Sequence, residues 1–221
     1  MTNNHVPHRA AQFRNDMYHG TTHHWSGNPN QALIAEVEQL IESGVRPGTA
    51  LDVGAGEGAD AVWLAKHGWE VTAVEPSKTA VQRGQQLASD ADVAVHWIAQ
   101  VLEEAELGES QFDLVVSMYV AFLKEEQPSE DAAGASVNPA RFLTELVAPG
   151  GHLLFVHHEG FDYPKAHGHR FTRDDYVDPD VLRATLRDGW RIITDAVRER
   201  HVDGGGGAHH HTDVVLLAQR I

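Results

Sequence analysis

The chain has 221 residues, 42% of them hydrophobic, which suits one globular domain able to bury a core without staples. It holds 32 acidic against 17 basic side chains, a net charge of −15; such a surface repels phosphate backbones, so nucleic acid is not an expected partner. With no cysteine there is no disulfide, thiolate metal site or cysteine nucleophile. No apolar run is long enough to span a membrane, and the N-terminus lacks the apolar core of a secretory signal. A cytoplasmic protein is expected.

Residues 1–27 are polar and irregular, with aromatics at Phe13, Tyr18 and Trp25, and read as an N-terminal lid segment. The main domain is expected over 28–221. Asn28 as N-cap and Pro29 at the first helical position open a helix whose buried face carries Leu33, Ile34, Val37, Leu40 and Ile41; Gly44 closes it. The chain then alternates. Ala50 to Val53 reads as a strand, Ala59 to His67 as a helix, and Glu70 to Glu75 as a second strand. Ser77 caps a helix to about Ala88, and Val93 to Ile98 is a third strand. Phe112 to Ser117 is nearly all apolar, as in a strand covered on both faces. Pro139 to Val147 is a helix, Pro149-Gly150-Gly151 turns into a fifth strand from His152 to His157, and Asp178-Pro179 opens a last helix. Trp190 to about Arg200 and Asp213 to Arg220 are two long strands with no helix between them, hence an antiparallel hairpin. The fold class is therefore α/β: a Rossmann-like, mostly parallel seven-stranded sheet with helices on both faces and a C-terminal antiparallel hairpin. Two segments read as mobile, the polar stretch from Lys124 to Asn138 and the glycine loop at 204–207.

Chemistry concentrates in Leu51-Asp-Val-Gly-Ala-Gly-Glu-Gly-Ala59. Gly54, Gly56 and Gly58 permit a tight turn from strand to helix and let a ligand lie on bare peptide. Free N–H groups at the helix start favour an anionic group. Glu75 ends the next strand, where a carboxylate can accept both ribose hydroxyls of a nucleoside cofactor. Gly54, Gly56 and Ala59 also fit a dinucleotide fingerprint, so the glycines alone do not discriminate. Asp52, two residues before the first glycine, stands where S-adenosylmethionine enzymes often carry an acid, a resemblance that favours that cofactor. The lack of a Tyr-x-x-x-Lys dyad and of room for a separate substrate domain favours it too.

These motifs together resemble the class I S-adenosylmethionine-dependent methyltransferases, over about residues 25 to 221. LDVGAGEG resembles their first motif, FDLVVS their fourth-strand motif, and LVAPGGHLLFV their turn into strand five. Glu75 matches the acid after their second strand, and the terminal hairpin their reversed last strand. Trp25-Ser-Gly-Asn-Pro29 with DVGAGEGADAVWLA resembles a branch near the tellurite-resistance and thiopurine methyltransferases. The resemblance implies S-adenosylmethionine as cofactor. Asp52 would belong to its site, and Gly54, Ala55, Gly56 and Gly58 would line its methionine part. Glu75 would hold the ribose and Pro76 lie beside the adenine. Gln100 stands where relatives have an acid for the adenine amino group, and its oxygen can still accept that bond. Val101 would offer a backbone N–H, Ser117 and Met118 would lie near the sulfonium, and Trp25 would act as a lid.

His157 and His158 leave the fifth strand at its carboxyl end, where ligands of open α/β sheets bind, and imidazole suits a general base. They are the candidate catalytic residues, with Phe161, Tyr163 and Phe171 as possible walls of an apolar pocket. His167, His169 and the run His209-His210-His211 sit in loops rather than on regular elements, so no metal site is assigned. The reading is in-line methyl transfer to a small molecule. The rivals are an NAD-dependent oxidoreductase and a non-catalytic cofactor- or metal-binding protein.

Overall fold

The computed structural model describes residues 17–18, 20–109, 111–120, 122, 139–159, 179–202, 204–205, 208 and 210–221. The segments 124–138 and 160–178 lie outside the described residues, and with them Phe161, Tyr163, His167, His169 and Phe171. So do residues 1–16, most of the expected lid, and His209.

In chain order the elements are α1 (Gln31–Glu42), β1 (Thr49–Val53), α2 (Ala59–Lys66), β2 (Glu70–Val74), α3 (Lys78–Asp90) and β3 (Val95–Ile98). A 3₁₀ turn (Leu102–Glu104) follows, then β4 (Phe112–Met118), α4 (Pro139–Leu146), β5 (Val147–His158), α5 (Pro179–Thr185), β6 (Trp190–Glu199) and β7 (Thr212–Arg220). The sheet order is β3-β2-β1-β4-β5-β7-β6. β1 with β2, β2 with β3 and β4 with β5 pair in parallel, while β7 pairs antiparallel with β5 and β6. The expected seven-stranded, mostly parallel sheet with a reversed C-terminal hairpin is what forms. By compactness the chain divides into two units, one carrying β1–β3 with α1–α3, the other β4–β7 with α4 and α5.

In the first unit the strands are short and apolar, and Leu33, Leu51 and Leu64 are fully buried. In the second, Leu114, Leu143, Leu153, Phe155 and Leu216 fill the same role. Each such side chain contributes about 2 kcal/mol of apolar burial. Only Asp113 of β4 is exposed, as a parallel strand covered on both faces requires. β6 ends the sheet and leaves Ile192, Ile193 and Val197 partly exposed; Arg191, Asp195, Arg198 and Glu199 interleave with them and discourage pairing with another edge.

Two of the boundaries that differ from the sequence reading have a clear tertiary cause. α1 is capped at Asn30, not Asn28. The Asn30 backbone N–H donates to Asp60 Oδ1 at 2.7 Å and its side-chain amide to Oδ2 at 2.6 Å, so a tertiary tie to α2 fixes where the helix begins. β5 starts at Val147 instead of His152, because Val147 pairs with Phe112 and the Pro149-Gly150-Gly151 stretch is taken into the strand at a register shift. At Gly151 a Cβ would stand 2.9 Å from the carbonyl oxygens of Ala148 and Phe112, so the close approach requires glycine. The Ser77 cap forms as expected, its Oγ accepting from the Ala80 N–H at 3.3 Å.

Candidate active site

The turn after β1 is built on backbone that only glycine adopts freely: Gly54, Gly56 and Gly58 have φ of +71°, +54° and +87°. The N–H groups of Gly54 and Ala55 both donate to the Val74 carbonyl, at 2.8 and 3.1 Å, which carries the β1–β2 ladder into the turn. Glu75 closes the arrangement. Its Oε2 accepts from the Gly56 N–H at 3.1 Å and its Oε1 from the Ser77 N–H at 2.9 Å. The carboxylate is 3% exposed. It thus ties the glycine turn to the start of α3.

Asp52 and Asp60 are buried beside it. Burial, then the nearby carboxylates of Asp60 and Glu75, push Asp52 well above the usual carboxylate range, against the backbone N–H of Ala61. Burial raises Asp60 to about 6, opposed by its bonds from Asn30. Asp52 Oδ2 has no hydrogen-bond partner among the described residues. A buried acidic cluster against bare backbone suits a ligand carrying positive charge and hydrogen-bond donors. S-adenosylmethionine, with its sulfonium, ammonium and ribose hydroxyls, meets that description.

Sequence reasoning missed what holds the N-terminal segment here. The backbone N–H groups of His24 and Trp25 donate to the Glu57 carboxylate at 2.9 to 3.1 Å. Arg83 pairs with Glu57 at 2.5 Å and donates to the carbonyl oxygens of Tyr18 and Thr21. Burial alone would raise Glu57; the N–H groups of Trp25 and His24 and the Arg83 guanidinium outweigh it and hold the carboxyl below its ordinary value. Trp25 Nε1 donates to Tyr18 Oη at 2.9 Å, and both groups lie against Gly56, where a Cβ would stand 3.1 Å from the indole nitrogen. Trp25 is thereby brought onto the glycine turn. Gly205, from the loop read as mobile, lies against the backbone of Trp25 and Ser26.

Gly58 also has a packing neighbour that the sequence did not reveal. A Cβ there would stand 2.5 Å from the Trp97 ring, and one on Gly84 would also strike that ring. Trp97 is wedged over both glycines, so Gly58 serves helix–strand packing. Pro76 is half-buried after Glu75, Val101 is half-buried after β3, and Gln100 is exposed.

In the second unit, Ser117 and Met118 end β4, both buried; Ser117 Oγ has no hydrogen-bond partner among the described residues. His157 is 2% exposed, and burial first, then His158, lowers its pKa to about 3. It stays neutral at physiological pH and is a feeble base. His158 pairs across the strands with Asp213, its Nδ1 3.4 Å from Asp213 Oδ1. Its ring is stacked between Tyr119, centroid distance 4.4 Å, and His210, 3.8 Å. Asp213, Tyr119 and Arg200 were not singled out from the sequence as site residues.

A family model described as a methyltransferase domain matches residues 50–137. The ubiquinone biosynthesis O-methyltransferase of Alkalilimnicola ehrlichii is 38% identical over 106 residues, 48% of this chain and 39% of that protein. Ribosomal RNA small subunit methyltransferase C of Alcanivorax borkumensis is 38% identical over 64 residues, 29% of this chain and 19% of that protein. The chain therefore spans less than half the length of these curated relatives. Among solved structures, 1,6-didemethyltoxoflavin-N1-methyltransferase of Burkholderia thailandensis, with bound 1,6-didemethyltoxoflavin and S-adenosylhomocysteine, is similar at TM-score 0.57 and 25% identity, over 86% of this chain and 79% of that one. TehB of Haemophilus influenzae shares the fold at TM-score 0.59 and 17% identity, over 85% and 62%. Residues 50–137 are thus similar in sequence to a methyltransferase domain, and the chain has the fold of the class I S-adenosylmethionine-dependent methyltransferases.

Proposed function

We propose that the chain transfers a methyl group from S-adenosylmethionine to a small molecule. The observation that carries this is Glu75, a buried carboxylate fixed at the end of β2 by the Gly56 and Ser77 N–H groups, beside the acids Asp52 and Asp60. In this reading Glu75 holds the ribose hydroxyls, and Gly54, Ala55, Gly56 and Gly58 accept the methionine part over bare backbone. Asp52 offers it a buried carboxyl oxygen with no hydrogen-bond partner among the described residues. Pro76, Gln100 and Val101 serve the adenine, Ser117 and Met118 the sulfonium side, and Trp25 covers the turn. When bound, S-adenosylmethionine supplies a methyl group already activated on sulfur, so the chain's own task is alignment and, for a protic acceptor, removal of a proton. His158 suits that task better than His157, which burial makes a feeble base.

The acidic surface, net charge −15, favours a small acceptor over nucleic acid. The ubiquinone-pathway and toxoflavin methyltransferases are in keeping with that, whereas the ribosomal RNA enzyme matches only 64 residues. The Trp25–Pro29 motif supports a branch near the tellurite-resistance and thiopurine methyltransferases. Calorimetry tests the reading. The chain should bind S-adenosylhomocysteine at micromolar strength, about −8 kcal/mol, and leave NAD unbound. Glu75→Gln should weaken that binding about 30-fold, roughly 2 kcal/mol, since an amide puts a donor where the carboxylate only accepts. Binding of NAD in place of S-adenosylhomocysteine would turn the reading to an oxidoreductase.

A further inference from the structure

Beside the carboxyl ends of β4 and β5, His158 lies in a cluster of polar side chains whose other members have no role so far. Antiparallel register sets Asp213 directly opposite His158. Residues opposite one another share a face and bring their side chains within reach. His158 Nδ1 and Asp213 Oδ1 face each other at 3.4 Å, and neither has a hydrogen-bond partner among the described residues. The other oxygen of Asp213 accepts from Tyr119 Oη at 2.7 Å. Arg200 Nε donates to the same phenol oxygen at 3.2 Å and lies 3.8 Å from the carboxylate. Asp213 is thereby held from two sides with one oxygen turned to the imidazole.

The imidazole is held as firmly. Tyr119 covers one face and His210 the other, with interplanar angles of 23° and 13°. Tyr119 itself sits at φ +59°, a left-handed backbone conformation that a bulky side chain rarely adopts. With both faces stacked and Nδ1 toward Asp213, Nε2 is the remaining polar edge of a side chain 15% exposed. A carboxylate on one ring nitrogen fixes the tautomer that leaves the other nitrogen bare, which is how an orienting acid prepares a histidine base.

We propose that Asp213 is the positioning residue that makes His158 a general base, and that the methyl acceptor is a protic nucleophile, a phenol or a ring N–H. This rests on the methyl-transfer reading. The acceptor's proton passes to Nε2, and the electron pair it leaves behind forms the new bond to the methyl carbon. The carbon–sulfur bond breaks with its electrons staying on sulfur. The imidazolium, balanced by Asp213, then releases the proton to water. A thiolate would need none of this apparatus. Among the described residues, the charged or titratable groups around His158 are Asp213 from β7, Tyr119 after β4, His210 before β7, Arg200 after β6 and His157 on its own strand.

The test begins on the full-length chain with ¹⁵N-detected imidazole resonances, assigned by their loss in His158→Gln. The expected tautomer of His158 is Nδ1–H with Nε2 bare. In Asp213→Asn its titration should move at least one pH unit lower, a tenfold loss of proton affinity. A parental Nε2–H tautomer overturns the proposal without recourse to any variant, and so does a titration that Asp213→Asn leaves unmoved. Turnover against a panel of phenols and azoles adds the kinetic arm. His158→Gln should lose about 100-fold in kcat while S-adenosylhomocysteine affinity stays within twofold. Asp213→Asn should lose about tenfold and shift the acid limb of the pH profile downward, with Asp213→Glu recovering part. If the parental chain fails to bind S-adenosylhomocysteine, the methyl-transfer reading falls, and the tautomer still judges the His158–Asp213 pair.

Discussion

Around the glycine turn the buried ionisable groups are acids, whereas at the end of β5 a buried imidazole, His157, sits in a unit that also buries Asp213 and Arg200. Burial acts on both in the same sense, against the charged form, but the outcomes run in opposite directions along the pH scale. Asp60 is raised from 3.8 to about 6, and His157 is lowered from 6.5 to about 3. The two units also differ in how they hold a side chain for chemistry. In the first, backbone N–H groups from the glycine turn and from α3 fix Glu75. In the second, side chains from separate strands fix one another, as Tyr119 and Arg200 do with Asp213. A backbone-built site is insensitive to most substitutions, and a side-chain network fails when one member is removed.

The largest effect should come from the backbone-built side. Gly58→Ala combines a φ of +87° with a Cβ 2.5 Å from the Trp97 ring. It should cost about 3 kcal/mol or more in urea unfolding. In a Trp97→Leu background the added cost should fall to about half, because the ring that blocks the methyl is gone. Equal costs in the two backgrounds would mean that the backbone, not the packing, demands glycine.

Next is the buried imidazole. An imidazole held neutral contributes its full stability above 6.5 and loses it as pH falls toward about 3. His157→Phe should abolish that loss and gain about 2 kcal/mol on the parental chain when pH drops from 7 to 5. Parallel pH–stability curves for the two proteins would show that His157 is not the group responsible.

The buried acid should give the smaller and opposite response. Asp60 is most stabilising when protonated, below 3.8, and its contribution is lost as pH rises to about 6. Asp60→Asn should flatten the stability curve between pH 4 and 6. At pH 7 it should differ from the parent by only about 1 kcal/mol, because relief of the buried charge offsets one lost bond from Asn30. A steeper curve in the variant would reverse the sign assigned to this acid.

Local pattern was enough to read the alternation of strands and helices, the hairpin and the glycine turn with Glu75. A strand's period of two, a helix's of 3.6 and a glycine-rich turn are each written in consecutive residues. Tertiary structure decided the rest. The start of α1 depends on Asn30 meeting Asp60, thirty residues away. Glu57, inside the glycine motif, becomes a strap holding the N-terminal segment only because Arg83 and the backbone of His24 and Trp25 converge on it. Beside its positive φ, Gly58 is crowded by Trp97 of β3, a neighbour that only folding supplies. His157 and His158 look equivalent as a pair in sequence. They part when β7 pairs with β5 and puts Val214 opposite one and Asp213 opposite the other. The period of a strand says which residues share a face, but it does not say which residue of the partner strand stands across from each. That register comes from burial of the whole sheet, and so the side chain that orients His158 entered the site only on folding.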